Sequence, residues 1–215
     1  VLGPVAYDPN EPERRDGLFS LGRLLQERAR EVDLALPIET RATRAAGTPA
    51  GPTVDLGAGS ETGLAGDAYS IEVTPAGARL EGAGTAGLRY AIESLSQLIA
   101  AAPRTAKGAR RLPLCRIDDE ADFALRGVML DVSRGKVPTL ESLEEIVDLL
   151  ARMKLNALML YTEHTFRFAS HPRIGEGASP LCAEEMRHLD GYAAERSVQL
   201  IPTLQSLGHM EHVLR

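Results

Sequence analysis

The chain contains 215 residues, of which 44% are hydrophobic and 25% are charged, and it carries a formal net charge of −6 at pH 7. This length allows one large domain or two smaller ones, and the composition is ordinary for a globular protein. The acidic balance argues against nucleic acid as the main partner, and a membrane span is not expected because no run of 18 apolar residues exists.

The amino-terminal residues show no basic segment followed by an apolar one, so we predict no secretory signal and expect a cytoplasmic location. The chain does not begin with Met, so a trimmed amino terminus is an open alternative. Cys115 and Cys182 are far apart in the sequence and match no metal-binding spacing, so both are predicted to be free thiols.

The first half of the chain predicts a small α+β domain, which we place at residues 1–118. A helix is expected over residues 16–30. Its apolar face consists of Leu18, Leu21, Leu24, Leu25 and Ala29. A linker rich in Gly, Pro and Thr follows at 42–53 and leads into a short strand. Residues 68–82 then alternate as two strands around a Pro-Ala-Gly turn, and residues 85–101 repeat apolar side chains at helical spacing.

Gly82, Gly84 and Gly87 open this second helix with the spacing of a dinucleotide-binding turn. In such a turn the first glycine ends a buried strand, and an acidic residue about twenty positions further on binds the ribose. Here the preceding strand is half polar, Glu81 would repel a pyrophosphate, and no acid or strand follows the helix. We therefore expect a structural turn without a cofactor and keep a dinucleotide-dependent oxidoreductase as a less favoured alternative.

From residue 119 to residue 215, apolar strands alternate with amphipathic helices. Strands are predicted within residues 124–133, 155–162 and 198–206, and helices within residues 139–154 and 182–197. Thr139 is the expected N-cap of the first of these helices. This alternation is typical of βα units with a parallel sheet that is buried on both faces, so the predicted fold class is α/β.

Polar side chains with catalytic potential lie near the ends of these strands. Arg126 lies at the start of the first strand. Polar residues follow at the end of each of the three strands. The residues at the strand ends are Asp131, Arg134, Tyr161, Glu163, His164, Gln205 and His209. In β/α barrels the chemistry gathers at the carboxyl ends of the strands, where the βα loops converge.

The segment from Phe123 to His209 resembles the first part of the catalytic barrel of family 20 glycoside hydrolases, the β-N-acetylhexosaminidases. Three motifs carry the resemblance: the "RG-LD-R" pattern of "LRGVMLDVSRGK", the "K-L-N" entry to the second strand, and the Gly-His pair after the third. Residues 68–99 resemble the small domain that precedes this barrel. The resemblance implies a (β/α)8 TIM barrel, of which the chain would contain about three units after the α+β domain.

The resemblance also implies substrate-binding roles for Arg126, Glu163 and His209. Arg126 matches an arginine that hydrogen-bonds sugar hydroxyls, a role that suits a planar guanidinium. Glu163 falls where many members have an Asp-Asp pair, with His164 in place of the second acid. Supporting roles are implied for the remaining strand-end residues, Asp131, Arg134, Tyr161, His164 and Gln205.

From the residues alone, other interpretations stay open at this point. Arg126 could form a structural ion pair, and His209 could cap or pack against a helix. A metal site formed by His209, Glu211 and His212 is not expected, because no zinc-type motif supplies a further ligand. A sugar-binding or assembly module without catalysis remains an alternative function, and the oligomeric state is not indicated.

The implied reaction is retaining hydrolysis of a terminal β-linked N-acetylglucosamine or N-acetylgalactosamine, with the 2-acetamido oxygen of the substrate as nucleophile. The Asp-Glu pair that assists it belongs to the fourth strand of the barrel, and no such pair follows Gly208, so the catalytic residues are expected beyond Arg215. A barrel takes about 250 residues. We therefore expect an amino-terminal fragment with an exposed inner sheet face and no turnover of its own, which nitrophenol release from a nitrophenyl N-acetylglucosaminide by this chain would contradict.

Overall fold

The computed structural model describes residues 5–7, 12–32, 38–40, 53–59, 62–106, 110–205, 207–211 and 213–214. The chain divides into two compact units, Val1–Asp122 and Phe123–Arg215. The sequence placed this boundary four residues earlier, at 118. The predicted linker at 42–53 lies outside the described residues except for Thr53, and the side chain of Leu18 is outside them as well.

In its described residues, the first unit contains a six-stranded mixed sheet and two helices. Its elements are β1 (Val5–Tyr7), α1 (Pro12–Arg30), β2 (Ile38–Thr40), β3 (Thr53–Ala58), β4 (Tyr69–Thr74), β5 (Gly77–Gly82), α2 (Thr85–Ala101) and β6 (Cys115–Asp119). The strands lie in the order β2-β1-β3-β5-β4-β6. The predicted hairpin is present as the antiparallel pair of β4 and β5, and α2 has the predicted bounds.

One apolar core joins the helices and the sheet of the first unit. Leu25 of α1 and Leu88 of α2 are fully buried, as are Ile71 of β4 and Leu80 of β5. Alternate residues of the two strands point away from this core, so that Glu72, which is paired in register with Arg79, is exposed. Burial of each large apolar side chain stabilises the unit by about 1.5–3 kcal/mol, which explains why these helices dock on this sheet.

The glycine-rich turn between β5 and α2 is filled by the unit's own backbone. A Cβ on Gly82 would lie 2.2 Å from the amide nitrogen of Leu88, and a Cβ on Gly87 would lie 2.4 Å from the carbonyl oxygen of Ala68. Both glycines are therefore required for close packing of the helix start on the sheet. This accounts for the spacing without a pyrophosphate.

As far as the structure describes it, the second unit consists of three parallel strands and two helices. Its elements are β7 (Gly127–Asp131), α3 (Leu140–Arg152), β8 (Ala157–Thr162), α4 (Ala183–Glu195) and β9 (Gln199–Leu204). The strand order is β7-β8-β9. The predicted N-cap of α3 is present, because Thr139 Oγ1 accepts a hydrogen bond from the amide of Ser142 at 3.3 Å.

The helices cover one face of this sheet. Leu143 of α3 and Leu189 of α4 are fully buried in one core with Leu158 and Leu160 of β8. On the opposite face Met129 is 60% exposed. The inner face of the described residues is thus exposed at the edge strand β7, as expected for three strands, whereas the central strand β8 is buried on this face at Ala157 and Tyr161. None of the described helices is both long and apolar enough to cross a membrane.

Candidate functional site

The parallel register of the second unit brings polar side chains together at the carboxyl ends of its strands. Asp131, the last residue of β7, is paired in register with Tyr161 of β8, and Tyr161 is paired with Thr203 of β9. Because alternate residues share a face, these three residues lie on the same face as Met129. The residues that directly follow the strands therefore lie next to one another at the carboxyl edge of the sheet.

A salt bridge between Arg134 and Glu163 is the centre of the arrangement. Arg134 Nη2 lies 2.8 Å from Glu163 Oε1, and the hydroxyl of Tyr161 donates to the same oxygen at 3.0 Å. The Glu163 side chain is only 3% exposed, whereas the Arg134 side chain is 52% exposed. A buried carboxylate thus anchors an arginine whose side chain remains about half exposed.

Asp131 supports the same guanidinium from the other side. Its Oδ1 accepts hydrogen bonds from the amide of Ser133 at 2.8 Å and from the hydroxyl of Ser133 at 2.6 Å. The Ser133 hydroxyl in turn accepts from Arg134 Nη1 at 3.0 Å, and Asp131 Oδ2 lies 3.6 Å from Arg134 Nε. Ser133 therefore links the carboxylate to the guanidinium.

Ser133 is buried, and sequence reasoning did not select it. The signal was present, since an aspartate commonly accepts a hydrogen bond from the backbone two residues further on.

His209 completes what we name the strand-end cluster, which consists of Asp131, Ser133, Arg134, Tyr161, Glu163 and His209. The His209 Nδ1 atom lies 3.5 Å from Glu163 Oε1 and 3.5 Å from Arg134 Nη2, both at the outer limit of hydrogen bonding. Its backbone has a φ of 56°, in the left-handed region. The ring is 59% exposed, so it borders the same open space as Arg134.

The charges of the cluster reinforce one another. The hydrogen bond from Arg134 holds the pKa of Glu163 below its ordinary value, and the pKa of the Arg134 guanidinium is raised by the same contact. The hydrogen bond from the Ser133 hydroxyl lowers the pKa of Asp131. Both carboxylates are therefore ionised at neutral pH, and the guanidinium is held in a fixed position between them.

The structure does not bring Arg126 into this cluster. Arg126 precedes β7 and so lies at the amino end of the sheet, five residues or about 16 Å of strand from Asp131. Its Nε donates to the carbonyl of Lys154 at 3.0 Å, and its Nη1 donates to the carbonyl of Phe123 at 2.6 Å. These contacts tie the start of β7 to the turn before β8, which is a structural role.

Two further predicted residues lie at the same strand ends. His164 is half-buried and follows Glu163 directly. Gln205 follows β9 and is half-buried, and it forms no hydrogen bond with the described part of the chain. Among the described residues no group of three potential metal ligands exists, and His212 lies outside them.

Comparison with known families matches both units. Residues 15–120 match the family described as "Glycosyl hydrolase family 20, domain 2". Residues 123–215 match the family described as "Glycosyl hydrolase family 20, catalytic domain". The two ranges follow each other in the chain and together contain most of its residues.

Curated proteins that this chain resembles are β-hexosaminidases. The β-hexosaminidase of Akkermansia muciniphila is 28% identical over 161 residues, which cover 66% of this chain and 32% of that protein. The β-hexosaminidase of Porphyromonas gingivalis is 26% identical over 212 residues, which cover 89% of this chain and 26% of that protein. The chain therefore spans about a third or less of the length of these relatives.

Solved structures share the fold. The N-acetyl-β-hexosaminidase of Streptomyces plicatus in complex with Thio-NAglucal superimposes with a TM-score of 0.74 at 21% identity, covering 98% of this chain and 43% of that one. The β-N-acetylhexosaminidase of Bacteroides fragilis gives a TM-score of 0.75 at 23% identity, and the match covers 100% of this chain and 42% of that one.

The exo-β-N-acetylglucosaminidase of Vibrio harveyi in complex with N-acetylglucosamine gives a TM-score of 0.73 at 19% identity. The match covers 99% of this chain and 34% of that one. The expected fold, an α+β domain followed by the first βα units of a TIM barrel, is confirmed by these likenesses.

Proposed function

The chain belongs to glycosyl hydrolase family 20, and from this we propose that the whole protein is an exo-β-N-acetylhexosaminidase. It removes terminal β-linked N-acetylglucosamine or N-acetylgalactosamine from glycans. The names of the relatives and the sugar ligands in the Streptomyces and Vibrio structures support a carbohydrate substrate. The observation that carries the proposal is the half-exposed Arg134 side chain, whose guanidinium is held at the strand ends by Glu163 and Asp131.

We assign sugar binding in this chain to Arg134 instead of Arg126. A guanidinium can bridge two vicinal hydroxyls, provided that part of its fork remains open to the ligand. Arg134 meets this condition at the carboxyl ends of the strands, where β/α barrels bind their substrates. Arg126 lies at the other end of β7 and donates to backbone carbonyls.

The reaction proposed for the whole protein uses the 2-acetamido oxygen of the substrate as nucleophile and a carboxylic acid that protonates the leaving oxygen. That acid must hold a proton at the working pH, which requires a pKa near or above it. Glu163 and Asp131 have lowered pKa values, because Arg134 and Ser133 stabilise their ionised forms. We therefore assign both to the positioning of Arg134 and place the acid outside the strand-end cluster.

Hydrolysis of two nitrophenyl glycosides by the whole protein tests this function. We expect nitrophenyl β-N-acetylglucosaminide to be hydrolysed with a kcat/KM at least about 100-fold above that of nitrophenyl β-glucoside, because only the first substrate carries the intramolecular nucleophile. Equal rates on the two substrates would contradict the proposed mechanism. Binding of N-acetylglucosamine without release of nitrophenol would instead support a sugar-binding module.

A further inference from the structure

Strand β6 (Cys115–Asp119) is an edge strand in the sheet of the first unit. It pairs with β4 on one side, and no strand of the described residues lies on its other side. The backbone amide and carbonyl groups along such an edge are a template for pairing with another strand. We propose that the β6 edge pairs with the β6 edge of a second copy of the protein, so that two antiparallel strands form a symmetric dimer.

The side chains of β6 alternate between the two faces of the sheet. Cys115 and Ile117 are half-buried and pack against the core of the unit. The side chains of Arg116 and Asp118 are 69% and 55% exposed, and they lie on the opposite face. A strand that is added to this edge therefore meets apolar residues on one face and a pair of opposite charges on the other.

The charges of β6 are complementary to themselves about Ile117. When a two-fold axis passes between the two Ile117 residues of an antiparallel pair, Arg116 of each copy is directly opposite Asp118 of the other. Side chains in such positions share a face, and their Cβ atoms are about 4.5–5.5 Å apart. Within one copy, Arg116 binds Asp118 through Nε at 2.8 Å and through Nη2 at 3.0 Å. The dimer therefore contains a square of four alternating charges, with like charges on its diagonals.

This register is favoured over the neighbouring ones. A shift by two residues places Arg116 opposite Arg116, or Asp118 opposite Asp118, and like charges directly opposite each other are destabilising. A shift by one residue places the exposed Arg116 beside the half-buried Ile117, so that the two sheets would turn their cores to opposite sides. The register about Ile117 avoids both costs, and for this reason we assign the edge to a second copy of the same strand.

The small size of the edge sets the strength of the dimer. A standard protein–protein interface has about 20–30 residues on each side, whereas β6 has five. We therefore expect a weak dimer whose population rises with protein concentration. In such a small interface the four charges contribute a large share of the affinity, so that a change of their sign should be measurable.

Sedimentation velocity of the whole protein over a range of concentrations tests the proposal. The wild-type protein should form a dimer. Arg116→Asp and Asp118→Arg each place like charges opposite one another, so each single variant should raise the dimer dissociation constant at least about ten-fold, or about 1.4 kcal/mol. The double variant, Arg116→Asp with Asp118→Arg, exchanges the two residues and should recover most of the wild-type affinity.

An equimolar mixture of the two single variants gives the sharpest test. One variant then carries two aspartates at positions 116 and 118, and the other carries two arginines, so that every arginine is opposite an aspartate across the strands. The mixture should form a heterodimer at a concentration at which each variant alone is a monomer. A mixture that stays monomeric would overturn the proposal.

Arg187→Asp is the matched control. Arg187 is also an exposed arginine that is paired with an acid, Glu184 at 3.0 Å, but it lies on α4 of the second unit. This variant should dimerise like the wild-type protein, and circular dichroism should show that all variants are folded. A wild-type protein that is monomeric at the highest concentration, or a dimer that survives both single β6 substitutions, would also overturn the proposal.

Discussion

Each unit of the chain contains an arginine paired with a nearly buried glutamate: Arg28 with Glu93 in the first unit and Arg134 with Glu163 in the second. The two carboxylates are alike, with 5% and 3% of their side chains exposed and nitrogen–oxygen distances of 2.9 and 2.8 Å. The arginines differ, because the side chain of Arg28 is 13% exposed and that of Arg134 is 52% exposed. The second pair therefore leaves its arginine half exposed, whereas the first encloses it.

The donors explain the difference. Arg28 uses Nε and Nη2 on Glu93, at 3.0 and 2.9 Å, and Nη1 on Glu31 at 3.0 Å, so its fork is occupied between α1 and α2. Arg134 directs Nη2 to Glu163 and Nη1 to Ser133, and its Nε lies 3.6 Å from Asp131 Oδ2, but about half of its side chain stays exposed. The enclosed arginine therefore serves the packing of α1 on α2, whereas the half-exposed arginine is the one to which we assign sugar binding.

Removal of one partner of the enclosed pair should have the largest effect. Arg28→Met leaves the buried Glu93 carboxylate without its counter-charge, so we expect the free energy of unfolding to fall by about 3–5 kcal/mol. Urea denaturation measures this loss. The double substitution Arg28→Met with Glu93→Leu removes both charges and should recover most of the stability. A loss below about 1 kcal/mol in the single variant would show that the enclosed pair does not stabilise the unit.

The second prediction concerns the open pair. Arg134→Lys keeps the positive charge beside Glu163 but loses the planar fork, so kcat/KM of the whole protein should fall about 100-fold, or about 2.7 kcal/mol. The free energy of unfolding should change by less than about 1 kcal/mol.

Arg126→Lys is the matched control, because it changes the same residue type at the opposite end of β7, and its kcat/KM should stay within about two-fold of wild type. A larger loss for Arg126→Lys than for Arg134→Lys would return the sugar-binding role to Arg126.

Lowering the pH should have a smaller effect on the free energy of unfolding, because it protonates Glu163. Because Arg134 lowers the folded-state pKa of Glu163, this group stabilises the fold above its ordinary pKa of about 4.3, and the stabilisation is lost as the pH falls through the lowered pKa. Protonation leaves the hydrogen bond from Tyr161 possible, so the loss should be smaller than that caused by removing a buried partner.

Urea denaturation between about pH 6 and pH 3 should therefore show a steeper loss in the wild-type protein than in Glu163→Gln, which has no proton to bind at this position. Parallel curves for the two proteins would mean that the Glu163 pKa is the same in the folded and unfolded states.

Local sequence patterns were sufficient for most of the fold. Thr139 has a hydroxyl that can cap α3, and the 3.6-residue period of α2 defines its bounds, so both were predictable. The three-residue strands β1 and β2 carry no such period and were not predicted, because each is defined by pairing with a neighbour, β2 with β1 and β1 with β3. The path of loop 163–182 depends on Gly175 meeting the carbonyl of His164, a tertiary contact that no local pattern encodes.

The candidate site was predictable in its location but not in the roles of its arginines. Once a parallel sheet is expected, Asp131 and Glu163 must lie at the same edge, and Arg126 must lie at the other. The family resemblance nevertheless directed attention to Arg126 as the sugar ligand. Strand geometry alone places Arg134, and not Arg126, at the edge of the sheet where a sugar would bind. The half exposure of the Arg134 side chain depends on contacts with Ser133 and Glu163, which only the folded chain defines.

The smallest predicted effect isolates the link between Asp131 and the open arginine. Ser133→Ala removes the hydroxyl that joins Asp131 Oδ1 to Arg134 Nη1, a hydrogen-bonded contribution of about 0.5–1.5 kcal/mol. If Arg134 binds the terminal sugar in ground and transition states alike, KM should rise about five-fold while kcat stays nearly constant. Ser133→Thr keeps the hydroxyl and should restore KM. A fall in the free energy of unfolding without a change in KM would make Ser133 structural and leave the orientation of Arg134 to Glu163 and Asp131.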